Sequence, residues 1–291
     1  MKVSVIGPGA MGCLFAARLA NGGVQTTLVD HRADRAKRLN AAGIRVESDT
    51  GSLSANPAVS TAIPDDQDLL IVFVKSHVTH ALTLPAGVPV LTLQNGLGNT
   101  EALCSAVGSA HVLAGVTHEA AMLDGEGSVT HTAAARTAFG SWTSCPTEAA
   151  EKALGAAGFR YEVTAAPGQT LWEKVAASNA IYPLTALLNI RNGALLEIAE
   201  VRQLVRDLVV ESVKVASTEG YRFAYSLVEE TEELCHKFPQ SISPMLQDIR
   251  AGRRTEIESL SGEIIRRAQI AALPVPRTRV IYQLIRGMES R

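Results

Sequence analysis

Three groups of residues in this chain have types and spacing suited to chemistry. The first is Gly7-Pro8-Gly9-Ala10-Met11-Gly12, a G-x-G-x-x-G run. It follows the short apolar stretch Lys2 to Ile6 and opens a segment of helical spacing, Cys13 to Leu19. Between a strand and a helix this run is a dinucleotide-binding fingerprint. Gly7 permits the tight turn, Gly9 lets backbone approach a pyrophosphate, and Gly12 lets the helix pack against the strand. Free amides at the helix start, Pro8 aside, would hold the phosphate oxygens. The second group is Asp30 with Arg32 and Arg35 behind it, about 20 residues past Gly12. A carboxylate there accepts hydrogen bonds from ribose hydroxyls and repels a 2′-phosphate, which favours NAD(H); Arg32 or Arg35 turned toward a phosphate favours NADP(H). The third group is Lys174 and Ser178, four apart on one helix face, with Glu256 in a later polar stretch. A partly desolvated lysine loses its proton more easily and suits general acid work. On spacing alone, a snorkelling lysine and a carboxylate compensating a helix dipole account for Lys174 and Glu256 better than catalysis does.

The elements that must position these residues fall into two textures. Up to about residue 165, strands and helices alternate. Gln25 to Asp30, Asp68 to Lys75, Pro89 to Gln94, Val112 to Thr117, Val129 to Thr132 and Thr137 to Gly140 read as strands, Ile44 to Glu47 and Gly51 to Ser54 as a hairpin, and Arg32 to Ala42 as a helix stopped by Gly43. This predicts an α/β, Rossmann-type parallel-sheet domain over 1–165. Its polar strand ends are Gly7 to Gly12, Lys75-Ser76-His77 and Gln94-Asn95-Gly96. From 166 to 291 the pattern predicts an all-helical domain for the substrate, with helices over Leu171 to Asn189, Leu195 to Glu219, Tyr225 to Lys237, Thr255 to Ala271 and Arg277 to Glu289. Thr255 is the expected cap of the fourth of these, with Glu256 in its first turn.

Composition narrows the function classes. The 291 residues carry 27 basic and 29 acidic side chains with no like-charge block, which argues against nucleic acid or an anionic membrane as partner. The four cysteines, Cys13, Cys104, Cys145 and Cys235, form no zinc or C-x-x-C pattern and suit a reducing compartment. His77 and His80 sit three apart with no third ligand nearby, so no metal is expected. No apolar run is long enough to span a bilayer, and Met1 leads straight into the first strand. The expectation is a cytoplasmic protein, monomer or homodimer.

Several stretches together resemble the ketopantoate reductase (2-dehydropantoate 2-reductase) family. They are the Gly7–Gly12 fingerprint, Val74-Lys75, Gln94-Asn95-Gly96-Leu97-Gly98, Leu171-Trp172-Glu173-Lys174, Pro183-Leu184-Thr185-Ala186-Leu187, and Met245-Leu246-Gln247-Asp248 through Thr255-Glu256-Ile257. They span nearly the whole chain. The resemblance implies NADP(H)-dependent reduction of ketopantoate to pantoate, a precursor of pantothenate and coenzyme A. It implies that Lys174 protonates the keto oxygen, that Glu256 holds the substrate hydroxyl and orients the lysine, and that Asn95 and Lys75 lie near the cofactor, Asn95 also near the substrate. The chain departs from the family at Pro244, where a serine before Met-Leu-Gln-Asp helps bind the substrate carboxylate. It departs also at Ser178 and Tyr182, where asparagines are usual, and at Asp30-His31-Arg32, where Gly-Arg is frequent. Ser178, with Asn179 beside it, and Ser243 or Ser241 are the expected replacements on the substrate side. Reduction of another small branched 2-oxo acid, and a non-catalytic NAD(P)-binding sensor, are the alternatives.

Overall fold

A computed structural model describes residues 1–290 and divides the chain into two units, 1–94 with 99–168, and 95–98 with 169–291. The sequence places a single boundary at 165. The structure places the change at 168 and assigns the short loop Asn95–Gly98 to the second unit.

The first unit runs β1 (Lys2–Ile6), α1 (Ala10–Asn21), β2 (Gln25–Val29), α2 (Ala33–Ala42), β3 (Ile44–Ser48), β4 (Gly51–Ala55), β5 (Ala58–Ser60), β6 (Leu69–Val72), β7 (Val90–Thr92), α3 (Asn99–Val107), β8 (Val112–Thr117), β9 (Ala120–Gly125), β10 (Ser128–Ala133), β11 (Arg136–Ser141), α4 (Glu148–Ala156) and β12 (Arg160–Val163). Leu69-Leu70-Ile71-Val72 offers no polar face to water, and all four are buried. That is how a strand covered on both sides reads. It lies inside an eight-stranded sheet of order β12-β11-β8-β7-β6-β1-β2-β5, parallel throughout except where β11 meets β8. Strand order reverses at β1, which pairs with both β2 and β6. Open parallel sheets bind ligands beyond the strand carboxyl ends at such a point. Leu14, Phe15 and Leu19 of α1 pack into the core there, with Phe15 stacked on Phe159 at 4.1 Å.

Two expectations need correction in this unit. The strands around Lys75 and Gln94 are shorter than the apolar runs suggest and end at Val72 and Thr92. The residues beyond leave the sheet, and the buried Gln94 side chain ties them together by donating to the Val74 carbonyl and the Thr79 hydroxyl, each at 2.7 Å. Further, β10 does not join the main sheet. It pairs with β3 and with β9, a strand the sequence did not reveal, in a separate four-stranded sheet of order β4-β3-β10-β9. Alternation along a short strand says which face is buried, not which sheet receives it.

The second unit contains most of α5 (Pro167–Leu188), then α6 (Ala194–Glu197), α7 (Ala199–Thr218), α8 (Leu227–Lys237), α9 (Pro244–Arg250), a π-helical turn at Glu258–Gly262, α10 (Glu263–Ile270) and α11 (Pro276–Glu289). Trp172, Val175, Ala176, Ala180, Ile181 and Leu184 bury α5 on more than one side. The helix continues through Pro183. The long helix predicted over Leu195 to Glu219 is broken at Ile198, whose extended backbone (φ −106°, ψ 114°) starts α7 afresh. No glycine or proline marks that break. The helix predicted over Thr255 to Ala271 is regular only from Glu263. In the preceding turn Gly262 N–H reaches back five residues to the Ile257 carbonyl at 3.0 Å, while the Ser259 carbonyl accepts instead from Leu97 N–H at 2.7 Å. The Ser259 carbonyl is thereby lost to the helical ladder, and π turns occur frequently at functional sites.

Candidate active site

In the first unit the fingerprint loop occupies the switch point. Gly7 adopts φ +108°, closed to most side chains, and donates from its amide to the Val29 carbonyl at 3.0 Å. A Cβ on Gly7 would lie 2.8 Å from Val74 N, and one on Gly12 only 1.8 Å from the Gly7 carbonyl oxygen. Both glycines are demanded by the protein's own packing. Gly9 is different: a Cβ there would meet nothing within 4 Å. Gly9 is also the N-cap of α1 and, lacking a side chain, leaves the first amides of the helix, at Ala10 and Met11, uncapped by any side chain. Open space in front of uncapped helix amides fits a dinucleotide pyrophosphate. The two glycines should therefore separate on substitution. Gly12→Ala is expected to lower the melting temperature, at a cost of about 1–3 kcal/mol for forced overpacking. Gly9→Ala is expected to keep the melting curve within about 1 kcal/mol of wild type while weakening dinucleotide binding, as calorimetric titration of each variant would show.

Asp30 follows β2 on the same sheet edge, and its side chain is fully buried. Arg35 grips it with two hydrogen bonds, Nε to Oδ2 at 2.5 Å and Nη2 to Oδ1 at 2.7 Å, and Arg32 N–H donates to Oδ1 at 3.1 Å. Burial alone would push this carboxyl up, but the Arg35 and Arg32 hydrogen bonds hold it below the usual range. The expectation that Asp30 stands open to ribose hydroxyls is thus not met, nor does Arg35 turn outward. The Arg32 side chain lies outside this cluster, half exposed, with Asp34 at 3.0 Å. Lys75 stands at the start of the short helical turn Ser76–Ala81, which carries His77 and His80, without a side-chain capping bond. Among the described residues no three metal-ligating side chains come together. His131 and Glu119, 2.5 Å apart and both buried, form an internal pair.

In the second unit Lys174 sits partly buried on α5. Burial pushes its ammonium down to about 8, and the Glu256 carboxylate pulls in the opposite direction. Glu256 in turn receives a hydrogen bond from Asn95, Nδ2 to Oε2 at 3.3 Å. Glu256 lies in a turn before the π-helical segment, not in the first turn of an α-helix as the sequence suggests. Thr255 does act as a local cap, its hydroxyl accepting from Ile257 N–H at 3.2 Å. This turn is anchored from α11, since Glu289 Oε1 accepts from Thr255 N–H at 2.7 Å and from its hydroxyl at 2.6 Å. Asn95 is anchored through its neighbours. Gly96 adopts φ +85°, and a Cβ there would strike the Ser259 carbonyl at 2.4 Å, so the loop lies directly on the π turn. Neither Glu289 nor Ser259 was evident from the sequence, because both act through contacts distant along the chain.

Three side chains expected on the substrate side differ in availability. Asn179 is fully buried, donating to Ser212 Oγ at 3.2 Å and accepting from Ser261 Oγ at 2.7 Å. It ties α5 to α7 and to the π turn. Ser243 is likewise buried as the N-cap of α9, accepting from Leu246 N–H at 3.1 Å and sharing a proton with Thr185 Oγ1 at 2.7 Å. Pro244 follows at the first helical position, where its missing N–H costs nothing. Ser178 is buried as well, but alone of the three it has no protein hydrogen bond to its hydroxyl among the described residues, and it lies one helical turn beyond Lys174.

The family model for ketopantoate reductase PanE/ApbA matches residues 3–144, and the model for its C-terminal part matches residues 168–289. The chain belongs to the ketopantoate reductase family. It is 34% identical to the 2-dehydropantoate 2-reductase of Halobacterium salinarum, covering 98% of both chains. It is 31% identical to that of Pyrococcus horikoshii, covering 100% of this chain and 98% of the relative. Among solved structures it superposes on a PanE/ApbA family ketopantoate reductase from Ralstonia eutropha JMP134 with a TM-score of 0.90 at 28% identity, covering 100% and 99% of the two chains. A D-mandelate dehydrogenase solved with NADH and anilino(oxo)acetate shares the fold, with a TM-score of 0.91 at 22% identity and the same coverage. The family assignment makes the chain an oxidoreductase with a Rossmann-type unit and a helical unit. No described helix is long and apolar enough to cross a membrane.

Proposed function

We propose that this chain reduces ketopantoate to pantoate with NADPH, Lys174 delivering the proton. The observation that carries the reading is Lys174 itself, a partly buried lysine pushed to about 8 with the Glu256 carboxylate acting on it, in a chain alike over its whole length to proteins named 2-dehydropantoate 2-reductase. When bound, the nicotinamide supplies the hydride to the keto carbon. The backbone amides at Gly9, Ala10 and Met11 would hold the pyrophosphate, with Gly7, Pro8 and Gly12 shaping the turn, while Arg32 would meet the 2′-phosphate and Lys75 would contribute to cofactor binding. Lys174 donates an N–H to the keto oxygen, stabilises the developing alkoxide and transfers its proton, ending neutral before solvent reprotonates it. Glu256 accepts the substrate hydroxyl proton in a hydrogen bond, held for that task by Asn95. Ser178 donates to the substrate. Asn179 and Ser243 keep the helices that carry these groups in register.

The assay is loss of nicotinamide absorbance on mixing the protein with ketopantoate and NADPH. Rapid, ketopantoate-dependent oxidation is expected, and none on any 2-oxo acid despite dinucleotide binding would leave a sensor. A different 2-oxo acid is the second reading, favoured by Pro244 and by Tyr182 packed among the core side chains of the second unit. It requires kcat/KM for a competing acid to exceed that for ketopantoate.

The pH dependence follows from Lys174. Reduction needs its protonated form, so kcat/KM should be level below about 8 and fall about tenfold per pH unit above it. Oxidation of pantoate needs the neutral amine and should rise with pH up to the same point. Parallel pH–rate profiles in the two directions check both limbs.

A further inference from the structure

The residue closing the second strand of a dinucleotide-binding sheet ordinarily selects the nucleotide, because an open carboxylate takes the ribose hydroxyls and repels a 2′-phosphate. Asp30 has the right type and place but is not open. Its side chain has 0% exposure, and Arg35 engages both oxygens in a two-bond fork. The Arg32 amide takes a further position on Oδ1. The side chain of Arg35 is itself largely buried at 23% exposure, so salt screens the pair only weakly. What the strand end presents outward is cationic or neutral: Arg32 at 49% and His31 at 84% exposure. The exposed Asp34 beside Arg32 is a weak competitor, because surface pairs contribute little.

We propose that Arg35 is the specificity-determining residue for the nucleotide: by covering Asp30 it removes the carboxylate that would select NADH and leaves Arg32 to receive the 2′-phosphate of NADPH. The proposal rests on the reading of this chain as an NAD(P)H-dependent reductase. On this proposal Arg35 acts through Asp30 and not on the cofactor, so removing it should strengthen NADH binding, which loss of a direct phosphate ligand would not.

Calorimetric titration of the full chain with NADP⁺ and with NAD⁺, without substrate, tests this apart from turnover. Wild type is expected to bind NADP⁺ more tightly. In Arg35→Ala the ratio of the two dissociation constants should move toward NAD⁺ by about tenfold to a hundredfold, the range of a hydrogen bond to a charged group. Part of that shift must be a gain in NAD⁺ affinity. In the double variant Asp30→Ala/Arg35→Ala the gain should vanish, since no carboxylate is left to uncover. Arg35→Lys, which keeps the charge but loses the fork, should shift the ratio in the same direction by a smaller step, and it carries the test where the alanine variant is unfolded by circular dichroism. Loss of NADP⁺ affinity with NAD⁺ unchanged, equal in the single and double variants, would overturn the proposal and make Arg35 a phosphate ligand. Wild type that binds neither dinucleotide would instead overturn the reductase reading, and this proposal with it.

Discussion

Lys174→Ala should lower kcat/KM for ketopantoate by about 10²–10⁴-fold, the usual share of a positioned general acid. The loss should fall on kcat more than on KM, because the proton is needed as charge develops on the oxygen and not when the ketone binds. Folding should survive. Lys174 is only partly buried, and burial disfavours its charged form, so its removal relieves a desolvation cost. Dinucleotide affinity should survive as well, since the fingerprint lies in the other unit. Steady-state kinetics, a thermal melt and a dinucleotide titration on the same preparation measure all three. Lys174→Arg should not restore the rate, because a guanidinium stays protonated and gives up its proton poorly.

Glu256→Ala has the next largest expected effect, a loss of about 10²-fold in kcat/KM from removing a charged hydrogen-bond partner of the substrate hydroxyl. KM should rise and kcat should fall, as Glu256 both binds and orients. The pH profile distinguishes this role from a merely structural one. The Glu256 carboxylate raises the Lys174 pKa against burial, so without it the lysine should lose its proton earlier and the break near 8 should move to lower pH. Glu256→Gln should produce the same displacement with a smaller KM change, because the amide oxygen still accepts. An unmoved break in both variants would show that the two groups do not interact.

What the sequence disclosed and what it hid divide by the range of the interactions. Gly7 and Gly12 were legible because their requirement is local, a positive φ in one and a carbonyl 1.8 Å from the missing Cβ in the other. The buried β6 was legible because four consecutive apolar residues admit few other environments. Lys174 and Glu256 were legible only through family resemblance, since a lysine on a helix face and a glutamate near an expected helix start are ordinary surface residues. The masking of Asp30 was not, because it depends on which way the first turn of α2 aims Arg35. Asn179 and Ser243 looked like ligands for a related reason. A polar side chain beside catalytic residues reads the same whether it faces substrate or partners such as Ser212, Ser261 and Thr185, which come from distant parts of the chain. The break at Ile198 has no glycine or proline to mark it, and the π turn at Glu258–Gly262 follows from the tertiary demand of Leu97 on the Ser259 carbonyl.

The most direct measurement is kcat/KM for ketopantoate with NADPH as a function of pH, wild type beside Lys174→Ala. The expected result is a wild-type profile that breaks near 8, and a folded, dinucleotide-binding variant lying orders of magnitude lower with no break there. A folded Lys174→Ala protein with wild-type rate, or one that keeps the same break, would contradict the assignment of Lys174 as the proton donor.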